Sequence, residues 1–337
     1  MMFYLSISFT TRSLCAFIFS FLCAMVLIPL FIKLSKRNKL IEQMKFESQL
    51  MKEQSASKQN IPTMGGIVVI FSYLQAMLLC CDWQNIYLFI AMIVVFAFGM
   101  LGVSDDLIKT YTKNKGLSGK SKLLISVALA FAISSVLHFY VPSSLIFIPI
   151  WNTTITVTTV AWFVITIFVI VGTCHGVNLT DGMDGLATGC SLLVLFFFSA
   201  ITMFAPQEVI VTTKLREIVV SNMALCGACT AFLWYNSYPA KIFMGDCGAL
   251  MLGGYIGYAA VITGQHFLLA VVGGVFVVET LSSMLQICSK KYFARRIFLC
   301  APLHHHFRAK GHSEPQLVVR FWICQIVLII FSVFILQ

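Results

Sequence analysis

Long apolar runs alternate with short polar stretches along the chain. Runs of roughly 20 apolar residues are long enough to cross a bilayer's hydrocarbon as helices. Ten stand out, at 14–34, 64–81, 86–103, 123–141, 155–172, 186–205, 218–235, 249–263, 267–287 and 317–336. The pattern predicts an all-α integral membrane protein with these ten runs as transmembrane helices, in one polytopic domain over residues 1–337. The run at 249–263 is short, and 143–158 (SSLIFIPIWNTTITVT) also reads as an interfacial hairpin. A basic cluster, Lys33, Lys36, Arg37 and Lys39, follows the first run instead of preceding it. That order favours an uncleaved first span over a signal peptide.

Composition strengthens this picture. Of 337 residues, 59% are hydrophobic and 11% charged, with a mean hydropathy of +0.91. A soluble domain carries about 25% charged residues. The net charge of +10 would suit a nucleic-acid partner, but its distribution argues against one. Connections after spans one, three, five, seven and nine hold 20 of the 23 Lys and Arg, Arg320 included; the other side has Arg12, Lys214 and Arg216. This positive-inside pattern makes the odd-numbered connections cytoplasmic and puts both termini outside. It also suits a face beside anionic lipid headgroups. Cys226 and Cys229 form a CxxC in ALCGACTAFLW, where small residues at a helix contact are the simpler reading.

With that topology, the polar residues gather on one side. The first cytoplasmic connection ends SKQNIPTMGG, with Lys58 shortly before a Pro62–Gly66 turn. The second opens GVSDDLIKTYTKNKG, with Asp105, Asp106 and Lys109. The third, VNLTDGMDGLATG, holds Asn178, Thr180, Asp181 and Asp184. The fourth, YNSYPAKIFMGDCGAL, holds Asn236, Phe243 and Asp246, and the fifth, CAPLHHHFRAKGH, holds His304, His305 and His306. On the opposite side Asp82, Glu208 and Glu217 stand apart. Five loops on one face predict one shared site.

Each cluster suggests a chemistry. If DDLIK continues the third span as helix, Lys109 lies one turn from both aspartates and can pair with either. Adjacent carboxylates repel, so a metal or an amine is a reason to keep them together; an ordinary solvated helix end is the plainer alternative. Asp181 and Asp184 share a face if helical, or serve a glycine-rich turn in which Thr180 or Asp181 caps the sixth span. Asp246, between glycines, is a candidate magnesium ligand beside the other acidic pairs. The spacing of HHH is not a common zinc pattern. With Arg295, Arg296 and Arg308 the run reads better as an anion-binding face. Glu279, inside the ninth span, predicts a structural polar contact or a helix break. Acids for a divalent ion, bases for phosphate and a membrane face together imply phosphoryl chemistry on a lipid acceptor.

PTMGG, the DD pair with a lysine three residues on, NLTDGMDGLA, YNSYPAKIFMGD, GGVFVVETLS and APLHHHF occur in this order over residues 58–323. Together they resemble the phospho-N-acetylmuramoyl-pentapeptide transferase family, of the polyprenyl-phosphate N-acetylhexosamine-1-phosphate transferase superfamily. The resemblance implies magnesium-dependent transfer of a sugar phosphate from UDP-N-acetylmuramoyl-pentapeptide to undecaprenyl phosphate. The products would be lipid I and UMP, in the first membrane step of peptidoglycan synthesis. It further implies a bacterial inner-membrane homodimer with a broken ninth helix and a cytoplasmic site. Carried over by position, Asp105 would orient or deprotonate the lipid phosphate, with Asp106 as its partner and Asp246 as the magnesium ligand. Phe243 would stack on uracil, and Asn178, Asp181 and Asp184 would serve the nucleotide and sugar. Lys58, Asn236 and His304 to His306 match further family motifs. The chain departs from the pattern at Gln59–Ile61, at His175, where Asn is usual, and at Arg308, where Glu is common. A sister transferase of N-acetylglucosamine-1-phosphate and a cation-coupled transporter are the competing classes. Direct attack by the lipid phosphate and a covalent aspartyl intermediate are both compatible with the sequence.

Overall fold

The computed structural model describes residues 8–38, 58, 60–112, 116–140, 145–148, 151, 153–204 and 213–336. Apolar runs become helices because a bilayer leaves backbone N–H and C=O groups no partner but each other. The chain forms α1 (Phe9–Arg37), α2 (Gly66–Cys80), α3 (Ile86–Thr112) and α4 (Gly119–His138) before a hairpin of β1 (Leu145–Ile148) and β2 (Thr153–Thr156). There follow α5 (Thr159–Thr180), α6 (Leu186–Phe204), the short α7 (Thr213–Arg216) and α8 (Ile218–Asn236). The remainder comprises α9 (Gly245–Ile262), α10 (Leu268–Val272), α11 (Gly274–Phe293), α12 (Leu303–Ala309) and α13 (Glu314–Ile335).

Eight of these, α1, α3, α4, α5, α6, α8, α9 and α13, are long and apolar enough to span a membrane. The protein is an all-α integral membrane protein. The run expected at 64–81 is the 15-residue α2. The run at 267–287 is divided into α10 and α11 at Gly273, as the resemblance implied. Gln325 of α13 donates to the Val272 carbonyl at this break, restoring a partner that the missing helical turn takes away. Residues 143–158 include a hairpin pairing Leu145 with Thr156 and Ile148 with Thr153. Thr158 then caps α5, its hydroxyl accepting from the Ala161 amide at 3.3 Å.

The core is built around α9, whose side chains from Cys247 to Ile262 are all buried. It packs on α3 and α5, while α1 packs on α8 and α2. The buried face of α1 is mostly small: Ser13, Ala16, Ser20, Ala24, Ile28 and Ser35. Small residues let helix backbones approach closely where apolar burial cannot drive association. Cys226 and Cys229 are buried in α8 as free thiols, part of that small-residue packing. Outward positions on α1 and α13, such as Leu22, Val26, Ile323 and Val327, are large and exposed, as a lipid-facing surface requires.

Candidate active site

The α3 helix runs past its apolar stretch and delivers Asp105 and Asp106, 0% and 4% exposed, to one end of the bundle. One turn on, Lys109 Nζ lies 2.8 Å from Asp105 Oδ2, 3.5 Å from Asp106 Oδ1 and 3.1 Å from Asp246 Oδ2. The expected pairing of Lys109 with the aspartates is present. From α4, Lys122 Nζ lies 3.0 Å from Asp105 Oδ2 and also bonds Asp246 Oδ2. Asn178 Nδ2, in the last turns of α5, donates to Asp246 Oδ1 at 2.9 Å. The backbone amides of Leu117 and Cys247 donate to Asp105 Oδ1 at 2.7 Å and Asp106 Oδ2 at 3.0 Å. Asp106 thereby caps the N-terminus of α9 from a neighbouring helix.

Asp105, Asp106 and Asp246 can each offer one oxygen to a group within 4.8 Å of one another. Two structural conditions bring them so close. Gly245 adopts φ +73°, and a Cβ there would press on Asp106. At Gly102, one turn before Asp105, a Cβ would collide with the backbone of Asp246 and Cys247. Three buried carboxylates repel and demand positive charge. Here Lys109 and Lys122 supply part of it. The donor set is hard oxygen, which suits magnesium, so these residues fit such an ion.

A second cluster adjoins the first through the 181–185 turn. Lys58 Nζ lies 2.5 Å from Asp184 Oδ1 and 2.5 Å from Glu314 Oε1. Asp184 Oδ2 accepts from the Ala240 amide at 3.1 Å, and the Asp184 amide donates to Glu314 Oε1 at 2.8 Å. Arg308 Nη2 stands 3.6 Å from Glu314 Oε2. Burial pushes the Asp184 carboxyl above its ordinary value; Lys58 opposes this, and the Glu314 charge adds to it. Lys58 also sits 5.9 Å from the centroid of the half-buried Phe243 ring. Asn236 is a brace: Oδ1 accepts from Gly185 N at 3.1 Å and Nδ2 donates to the Ile242 carbonyl at 2.9 Å.

The histidine run lies on α12. His304 is fully buried, its Nδ1 3.0 Å from Glu279 Oε2 and its amide 3.2 Å from Glu279 Oε1. Glu279, fully buried on α11, makes the polar contact expected of it. His304 Nε2, aimed over Gly182, and His305 Nδ1 are buried with no partner among the described residues. Burial pushes His305 down to about 3, with the His304, Arg308 and Lys58 charges adding to the shift. His305 is therefore neutral near pH 7 and offers this face a hydrogen bond, not a charge. His306 accepts from the Leu299 amide at 3.1 Å and braces its own loop.

The shared-face expectation for Asp181 and Asp184 is not how the turn is built. The α5 helix stops at Thr180 with Asp181 as its C-cap, while Thr180 bonds back to Gly176 instead of capping the next helix. Asp184 then turns toward Lys58 and away from the helix axis. Sequence reasoning missed Lys122 and Glu314. The signals were present: Ser118 caps α4 one turn before Lys122, and Glu314 opens α13 beside Pro315. Both read as ordinary helix starts, because neither spacing reports a partner more than 100 residues away.

A membrane bundle with an acidic centre beside a cationic and imidazole-bearing face defines a class, the membrane transferases acting through phosphoryl groups. Residues 86–264 match the family described as Glycosyl transferase family 4. Relatives named phospho-N-acetylmuramoyl-pentapeptide-transferase include those of Wolinella succinogenes and Thermodesulfovibrio yellowstonii. The first is 37% identical over 322 residues, 93% of this chain and 91% of its own length. The second is 39% identical over 340 residues, 97% of this chain and 93% of its own. A third, from a Geobacter species, is 40% identical over 291 residues, covering 83% and 81%. The chain belongs to the phospho-N-acetylmuramoyl-pentapeptide-transferase family.

Proposed function

We propose that the chain transfers phospho-N-acetylmuramoyl-pentapeptide from its UDP carrier to undecaprenyl phosphate, yielding lipid I and UMP. The observation that carries this reading is the gathering of Asp105, Asp106 and Asp246 within 4.8 Å, interleaved with Lys109 and Lys122. A phosphate oxygen of the lipid forms a bond to the β-phosphorus of the nucleotide sugar. The bond from that phosphorus to the bridging oxygen breaks, and UMP leaves with the electron pair. The lipid phosphate needs little help to ionise, since the second pKa of a phosphate monoester is about 6. Asp105 accepts the Leu117 amide on one oxygen and Lys109 and Lys122 on the other, so it holds both lysines toward the phosphates and keeps lone pairs for a cation. Direct attack fits that arrangement better than an aspartyl intermediate.

Asp246, with Asp105 and Asp106, would hold magnesium, which when bound neutralises phosphate charge and steadies the leaving group. Lys58 and the Phe243 face would receive the nucleotide, since aromatic faces stack on bases. The buried His304 and His305 nitrogens offer hydrogen bonds to phosphate or sugar. Asn178 and Asp184 fix the walls between these parts, and Asp181 lines the turn that joins them. The positive-inside distribution supports a cytoplasmic site in the bacterial inner membrane. A homodimer is the expected assembly.

A transfer assay in detergent tests this. Wild type is expected to release UMP from UDP-N-acetylmuramoyl-pentapeptide only with undecaprenyl phosphate and magnesium, and folded Asp246→Asn to release none. Preference for UDP-N-acetylglucosamine would reassign the chain to the sister activity. Cation movement across liposomes without transfer would return the transporter class.

A further inference from the structure

Two side chains beside the acidic centre tie together the helices that feed it. Ser126 Oγ on α4 and His175 Nε2 on α5 lie 2.8 Å apart. Ser126 is fully buried, and its oxygen also lies 2.8 Å from the Lys122 carbonyl and 3.0 Å from that of Leu123. A hydroxyl has one proton and two lone pairs. With its proton given to the backbone one turn back, the oxygen is left to accept, so His175 presents Nε2–H to it.

The placement of this bond gives it consequence. Ser126 follows Lys122 by one turn on α4, and His175 precedes Asn178 by one turn on α5; such spacings share a helix face. Lys122 and Asn178 bind opposite oxygens of Asp246. The bonds thus close a ring from Asp246 through Lys122, Ser126, His175 and Asn178 back to Asp246. The α5 side of the ring is held firmly, because Gly253 of α9 lies against the backbone of Thr173 and Cys174. Among the described residues, the α4 side is peripheral, packed chiefly on α5 and α3 and buried along one narrow face. Where Lys122 stands therefore depends on what ties α4 to α5 at this end.

We infer that His175 and Ser126 are positioning residues whose cross-helix hydrogen bond fixes Lys122 and Asn178 on Asp246. This rests on the transferase reading above. Neither residue touches substrate itself, and the bond acts through Lys122 and Asn178 on Asp246, so it bears more on the rate of transfer than on nucleotide affinity.

Ser126→Ala and His175→Ala are each expected to lower kcat about tenfold, equivalent to about 1.4 kcal/mol, with a smaller change in KM for the nucleotide. The double variant is expected to be no slower than the slower single, since both remove one interaction. His175→Gln keeps an N–H donor at similar reach and recovers most of the rate. In protein labelled with 15N-histidine, the His175 signal, identified by its loss in His175→Gln, is expected to show the Nε2–H tautomer. In Ser126→Ala it becomes a tautomer mixture. That spectrum reads the bond whether or not the chain transfers sugar phosphate, so the two readings fail separately. Full kcat in both alanine variants, multiplied losses in the double variant, or an Nδ1–H tautomer at His175 would each overturn the inference. Should His175→Ala fail to fold, Ser126→Ala and the wild-type spectrum decide it.

Discussion

At the residue scale, the site depends on charges that satisfy one another out of water. Glu314 is the clearest case: it receives Lys58 Nζ and the Asp184 amide on one oxygen and faces Arg308 with the other. Removing one member of a buried ionic group leaves the others uncompensated and typically destabilises by about 3–5 kcal/mol. Glu314→Ala is therefore expected to lower the unfolding temperature in detergent, and Glu314→Gln to lower it less. An unchanged transition in Glu314→Ala would mean that Lys58 and Arg308 find water or other partners. Asp105, Asp106 and Asp246 were legible in the sequence because acids are rare in so apolar a chain and each sits at the mouth of an apolar run. Glu314 and Lys122 were not, because a charge at a helix start looks the same with or without a distant partner. Arg308, where the family resemblance led one to expect Glu, stands 3.6 Å from Glu314 Oε2 and answers that charge.

At the element scale, the decisive feature is how closely α3 and α9 approach. Gly102 meets the backbone of Asp246 and Cys247, so one added methyl acts on the distance between the two acidic helices. Overpacking of this kind typically costs about 1–3 kcal/mol. Gly102→Ala is expected to show a modest drop in unfolding temperature and a larger loss of transfer, because the separation falls directly between Asp105 and Asp246. A wild-type rate would show that the carboxylate spacing tolerates a shifted α3. Most elements could be read from the apolar runs. Their ends could not: α3 continues to Thr112 and α5 to Thr180 because polar residues at a membrane surface still favour helix. A break in this run was signalled by the buried charge of Glu279 and by the resemblance, but its position at Gly273 was not, since Gln325, which serves the freed carbonyl, lies 53 residues away.

At the scale of the whole molecule, acid sensitivity has a source remote from the site. His266, between α9 and α10, is 3% exposed, and burial pushes it down to about 4. Its unfolded counterpart titrates near 6.5, so the unfolded chain binds the extra proton first as pH falls. The stability that a neutral His266 provides is complete above about 6.5 and is lost between there and about 4. At pH 5 the loss is about 2 kcal/mol. Thermal unfolding at pH 7.5 and pH 5 is expected to show a smaller acid shift in His266→Gln than in wild type. An equal shift would place the acid sensitivity elsewhere.

The pairing of Lys58 with Glu314 also bears on how the protein is made. Lys58 precedes α2, whereas Glu314 opens α13, which is synthesised after every other described helix. Until α13 leaves the ribosome and enters the bilayer, the Lys58–Asp184 pair lacks its second carboxylate, and Val272 lacks Gln325. The order of translation thus orders the site: a chain that stops short of α13 holds its acidic centre but cannot close the face beside it.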